Sequence, residues 1–165
     1  MTAIGGDSCP VEVLLVEDSP GDVRLTKEAF REASASIHLS VVSDGVEAMA
    51  FLRHDGAHAN APRPNLILLD LNLPKMDGRE VLALIKKDAG LKMIPTVILT
   101  TSVAETDIAQ SYELQVNCYV SKPAQWDAFA SLMKNIIDFW LSKVKLPQKR
   151  PMELARNQLE SGLHK

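Results

Sequence analysis

Five short runs of Val, Ile and Leu divide the chain at intervals of roughly 25 residues: 11–16, 37–42, 66–69, 96–99 and 118–120. Several are continuously apolar rather than alternating, the pattern of strands covered on both faces. Amphipathic segments lie between them. The first opens on Ser19-Pro20-Gly21-Asp22, a cap residue, a proline at the first helical position and an acid three residues after the cap. It continues through Val23, Thr26, Phe30 and Ala33 at helical spacing. A second helix is expected from about Val46 to Arg53 and a third after Asp77-Gly78. A fourth is expected to start at a capping box, Ser102 to Glu105, and a long fifth runs from about Gln125 to Val144. Strict alternation with connections too long for hairpins predicts a five-stranded parallel sheet, doubly wound with helices on both faces.

Sheets of this kind bind ligands beyond the carboxyl ends of their strands. There the sequence places Glu17-Asp18 after the first strand, Asp70 after the third, Thr100 at the end of the fourth and Lys122-Pro123 after the fifth. Taken singly, each has an ordinary reading: acids cap helices, threonine favours strands, and lysine sits in solvated loops. Four such residues at one sheet edge call for a common explanation. Clustered carboxylates repel unless a cation compensates, and few acids with room for retained water suit Mg2+. Asp70 is the candidate nucleophile, able to form an aspartyl-phosphate, with Lys122 and the metal to neutralise phosphoryl oxygens.

The segments that carry these residues are Val-Glu-Asp-Ser-Pro, Leu-Leu-Asp-Leu-Asn-Leu-Pro-Lys-Met-Asp-Gly, Ile-Pro-Thr-Val-Ile-Leu-Thr-Thr-Ser and Tyr-Val-Ser-Lys-Pro. In this order they resemble the receiver domain of two-component response regulators over about Val11 to Val144. The resemblance implies a flavodoxin-like (βα)5 fold with Asp70 as phospho-acceptor. It implies Mg2+ held by Glu17, Asp18, Asp70 and the backbone carbonyl of Asn72. Thr100 and Tyr119 would form a switch pair beside Lys122, and Lys122-Pro123 would be cis. Glu-Asp-Ser-Pro-Gly-Asp, the long spacer His54–Pro64 and Phe139-Trp140-Leu141 through Leu146-Pro147 further resemble stand-alone regulators of cyanobacterial and bacterial phytochromes. The implied partner is a phytochrome-like histidine kinase.

The 165 residues, 46% hydrophobic, fit one receiver domain over 11–145 between an N-terminal segment, 1–10, and a C-terminal tail, 146–165. In that tail Met152, Arg156, Leu159 and Leu163 recur at helical spacing beyond Pro147 and Pro151. A net charge of −3, with one basic cluster at Lys143, Lys145, Lys149 and Arg150, argues against a nucleic-acid partner. About 20 residues after the last helix are too few for a DNA-binding output domain. Cys9, Cys118 and the scattered His38, His54, His58 and His164 lack disulfide or metal spacing. No apolar run approaches a membrane span and no leader is recognised, so a cytoplasmic protein is expected.

Two rival functions are weighed. An aspartate-nucleophile phosphatase needs a second acid two residues after the first, where this chain has Asn72, so no enzyme is expected. A receiver-like interaction module that works without phosphorylation would ordinarily lose the acceptor, the lysine or the acidic pair, and all are present. The fifth helix carries a wide apolar surface, from which a homodimer is expected, with Trp126, Phe139 and Trp140 as anchors.

Overall fold

The computed structural model describes residues 10–33 and 36–147. The 1–10 segment but for Pro10, the tail beyond Pro147, Cys9, His164 and the tail's helical spacing lie outside the described residues. Five strands, β1 (Val11–Val16), β2 (Ile37–Val42), β3 (Leu66–Leu69), β4 (Thr96–Thr100) and β5 (Cys118–Ser121), alternate with five helices. These are α1 (Pro20–Glu32), α2 (Gly45–Arg53), α3 (Gly78–Lys87), α4 (Glu105–Glu113) and α5 (Trp126–Asp138). All strand pairs are parallel and the order is β2-β1-β3-β4-β5. This is the expected doubly wound sheet.

Residues of each strand alternate between two cores. Leu14, Val16, Ile67, Leu69 and Ile98 meet α2 and α3 through Ala48, Met49, Leu52, Val81, Leu82 and Ile85. On the other face Val13, Leu15, Leu66, Leu68, Val97 and Leu99 meet α1 and α5 through Phe30, Phe129, Met133, Ile136 and Ile137. Both faces of the central strands are therefore apolar, which explains the unbroken Leu66–Leu69 run, buried at every position.

Local signals set most helix starts. Ser19 Oγ accepts the Asp22 N–H at 3.4 Å and Asp44 Oδ1 accepts the Glu47 N–H at 2.7 Å. The fourth helix departs from expectation, because Ser102 does not cap it. Ser102 Oγ accepts the Ala104 N–H at 3.3 Å and donates to Asp107 at 2.6 Å, so the hydroxyl is spent on a turn and α4 begins only at Glu105. At the other end, α5 passes into a π-helical turn, Phe139–Lys143, closed by Val144 N–H donating to the Phe139 carbonyl at 2.9 Å. No cis peptide bond occurs among the described residues, so Lys122-Pro123 is trans, a correction to what the resemblance implies.

Gly78 fixes the start of α3 against the end of β3. A Cβ there would lie 2.1 Å from the Asp70 carbonyl oxygen and 2.6 Å from Leu71 Cα, both backbone atoms. Gly78 N–H donates to the Leu71 carbonyl at 2.8 Å, closing the loop that carries Asp70-Leu71-Asn72. Gly78→Ala should therefore cost about 1–3 kcal/mol in a denaturant titration, the scale of overpacking a buried site. A variant as stable as the parent would show that the loop yields, and that Asp70 is not held by this close approach.

Candidate functional site

The sheet order reverses direction between β1 and β3, which are neighbours although β2 lies between them in sequence. This is the switch point at which doubly wound sheets bind ligands. Val16 pairs with Leu69, so the next residues of both strands, Glu17 and Asp70, emerge side by side. Asp70 N–H donates to the Val16 carbonyl at 3.0 Å and Glu17 N–H to the Val42 carbonyl at 3.0 Å, fixing both backbones. Lys122 follows β5, two strands beyond β3, and is set by its own N–H, which donates to the Thr100 carbonyl at 2.7 Å.

Glu17, Asp18 and Asp70 each offer a carboxylate oxygen within 4.8 Å of the others. Glu17 and Asp70 are buried while Asp18 is exposed, so the cluster opens to solvent on one side. Three converging oxygen donors with one open flank suit a hard divalent cation that retains water. The Asn72 N–H donates to Asp70 Oδ1 at 3.3 Å, which steadies the carboxylate from the loop side.

Lys122 Nζ is the counter-charge. It lies 2.5 Å from Glu17 Oε2, 3.0 Å from Asp22 Oδ2 and 3.2 Å from Asp70 Oδ2. Burial would lower the pKa of this ammonium, but the hydrogen bond and charge of Glu17 outweigh it and raise the pKa above its ordinary value. Burial pushes the Glu17 carboxyl up to about 7, against the pull of the Lys122 ammonium and with a push from Asp70. Asp22 stands in the sequence only as a helix-start acid. Its contact with Lys122 spans a hundred residues of chain and becomes visible only once β1 and β5 share a sheet.

A second polar group adjoins the first. Thr100 is fully buried, and its Oγ1 accepts the Ser102 N–H at 3.4 Å. Tyr119 is half-buried, and its hydroxyl donates to the Ser102 carbonyl at 3.0 Å. Asp107, at the start of α4, accepts from Ser102 Oγ and from the Arg79 guanidinium, with an N–O distance of 2.6 Å in the ion pair. The Ser102 hydroxyl and Arg79 hold the Asp107 carboxyl below the usual carboxylate range. The β4–α4 loop is thus tied to β5 through Tyr119 and to α3 through Arg79, a network that sequence spacing did not disclose.

The three dimer candidates separate in space. Trp126 is 58% and Phe139 53% exposed, whereas Trp140 packs half-buried against the α1–α5 core and edge-on to Phe139. Thirteen residues of helix put Trp126 and Phe139 about 20 Å apart along the axis. They cannot share one compact patch. Part of the apolar width of α5 is therefore core. Among the described residues no helix is long and apolar enough to cross a membrane.

Glu17 gives the site a pH dependence. Its carboxyl holds a proton more tightly in the folded protein than in the unfolded chain, so its contribution to stability is complete below about pH 4.5 and is lost as pH rises through about 7. A bound cation replaces that proton. Stabilisation by a millimolar divalent cation, read as a rise in melting temperature, should accordingly be larger at about pH 8 than at about pH 5.5, and Glu17→Gln should flatten the difference. An equal rise at both pH values would remove Glu17 from the metal equilibrium.

Comparison with known proteins agrees with this geometry. Residues 13–150 match the family described as the response regulator receiver domain. Response regulator Rcp1 of Synechocystis sp. is 51% identical over 138 residues, 84% of this chain and 94% of the relative. A crystal structure of the Mn(2+)-bound form of Rcp1 superposes with a TM-score of 0.83, covering 84% of this chain and all of that one. A structure of the phosphorylated cyanobacterial phytochrome response regulator RcpA is also 51% identical, with a TM-score of 0.83 over 85% of this chain and all of that one. On the family match, the identity and the shared fold, the chain belongs to the response regulator receiver domains of two-component systems.

Proposed function

We propose that this protein is a phosphorylation switch that receives a phosphoryl group on Asp70 from a histidine kinase of the phytochrome type. One observation carries the reading: Asp70 stands at the β1/β3 switch point, 3.2 Å from the Lys122 ammonium and within reach of two further carboxylates. Membership of the family implies a histidine kinase as partner, and the likeness to Rcp1 and RcpA supports the phytochrome class. We place the exchange in the cytoplasm, where such kinases use ATP.

Asp70 oxygen attacks the phosphorus of the phosphohistidine. A P–O bond forms as the P–N bond breaks, and the electron pair returns to the imidazole nitrogen, which is left neutral or takes up a proton. Asn72 N–H and Lys122 orient the attacking carboxylate. Glu17, Asp18, Asp70 and the Asn72 carbonyl are the proposed Mg2+ ligands, and an ion held there would supply positive charge against the oxygens of the transferring group. The phosphoryl group stays on the protein, so the chain acts as a switch rather than a turnover enzyme. Thr100, two strands from Glu17 and hydrogen-bonded to the Ser102 N–H, is the proposed partner of a phosphoryl oxygen. Drawing Thr100 inward shifts the loop at Ser102, and the Tyr119 hydroxyl, bonded to the Ser102 carbonyl, follows. Incubation with phosphoramidate and Mg2+ should add one phosphoryl group to the intact mass, and Asp70→Asn should abolish the gain. Uptake by Asp70→Asn at the parent rate would falsify the assignment.

The remodelled face comprises α4, β5 and α5, and we propose it as a homodimer surface. Trp126, exposed at the start of α5, is its anchor; Phe139 and Trp140 at the far end are a second contact. Sedimentation at tens of micromolar should show a dimer whose affinity shifts by about 1–3 kcal/mol on addition of beryllofluoride, the usual range of such coupling. Trp126→Ala should weaken it while leaving the far-UV circular dichroism of the folded chain unchanged. A monomer in both states would rule the dimer out.

A further inference from the structure

The proposed acceptor role of Asp70, on which this inference rests, leaves one carboxylate of the site without a task. Asp22 is the third residue of α1, where an acid ordinarily serves the helix dipole. Its carboxylate does more than that here. Asp22 Oδ2 lies 3.0 Å from Lys122 Nζ, and the cap of α1 is supplied by Ser19 instead.

An ammonium has three N–H donors and no more. Those of Lys122 are all committed, to Glu17, Asp22 and Asp70. A phosphoryl group extends beyond the Asp70 oxygens, and the ammonium has to advance to meet it. The two remaining anchors resist unequally. The Glu17 side chain is 3% exposed, so losing Lys122 would strand a buried charge. The Asp22 side chain is 31% exposed, so water can take the place of the departing ammonium.

We infer that Asp22 is a positioning residue for phosphoryl transfer, a releasable restraint that keeps one N–H of Lys122 from an incoming phosphoryl oxygen until the phosphoryl group competes for it. Its negative charge opposes phosphoryl uptake twice: it occupies one of the three donors, and it adds to the charge that an incoming phosphoryl oxygen meets. Removing that charge frees one N–H of the ammonium for a phosphoryl oxygen without touching the acceptor, the proposed metal ligands or the helix cap.

The test follows phosphoryl uptake by the 165-residue chain from phosphoramidate at saturating Mg2+, read by intact mass, with melting temperatures measured alongside. Saturating metal removes any change in cation affinity from the comparison. Asp22→Asn should raise the uptake rate about two- to fivefold, the scale of one part-exposed charge pair. Asp22→Glu, which keeps the charge within reach of Lys122, should return the rate to that of the parent. A purely structural role in α1 would lower the melting temperature of Asp22→Asn without raising its rate, and that result overturns the inference. A slower Asp22→Asn also overturns it, since Asp22 would then be organising Lys122 rather than restraining it. If the parent takes up no phosphoryl group, the acceptor role of Asp70 falls first, so the two failures are distinct.

Discussion

Four carboxylates face one ammonium at the carboxyl edge of the sheet, and Lys122 reaches three of them directly. The remaining structure makes this unequal meeting possible. Charges are tolerated at a partly buried edge only when they are paired and hydrogen-bonded. Lys122 meets that condition for Glu17 and Asp70 and leaves negative charge in excess, the condition under which a carboxylate cluster suits a divalent cation. A core of apolar strands on both faces holds the backbone still, so that the charges rather than the frame respond.

The response has a physical route. Ser102 lies between Thr100 and the first turn of α4 and is gripped on both sides, its hydroxyl by Asp107 and its carbonyl by Tyr119. Arg79 bridges Asp77 and Asp107 and so ties the start of α3 to the start of α4. Side chains on β4, β5, α3 and α4 thus share one polar network next to the candidate acceptor. A displacement at Thr100 has few places to go except along it. Gly78 contributes from the other side, since its missing Cβ lets α3 close against the backbone that carries Asp70.

Much of this was legible in the chain. The five apolar runs fall on the five strands, and Ser19 caps the helix it precedes, because both signals are local and depend on nearest neighbours in sequence. The candidate acceptor, acidic pair, threonine and lysine were legible for a related reason: parallel topology alone brings strand ends to one edge. Ser102 was misread as a helix cap because its hydroxyl is taken by one acceptor, Asp107, and one donor, the Ala104 N–H, and that arrangement depends on where Asp107 and Arg79 sit.

What the sequence by itself determined was which residues meet at one edge, since period and order fix the topology. What only the tertiary structure decided was how those residues divide their bonds. Asp22 joins Lys122 across a hundred positions, Tyr119 ties to Ser102 instead of standing free, and Trp140 sinks against the core while Trp126 stays exposed. These outcomes turn on distances of an ångström or two between side chains far apart in the chain. A linear pattern carries a period and a polarity but no such distance, so the division of one ammonium among its carboxylates could be read only from the folded molecule.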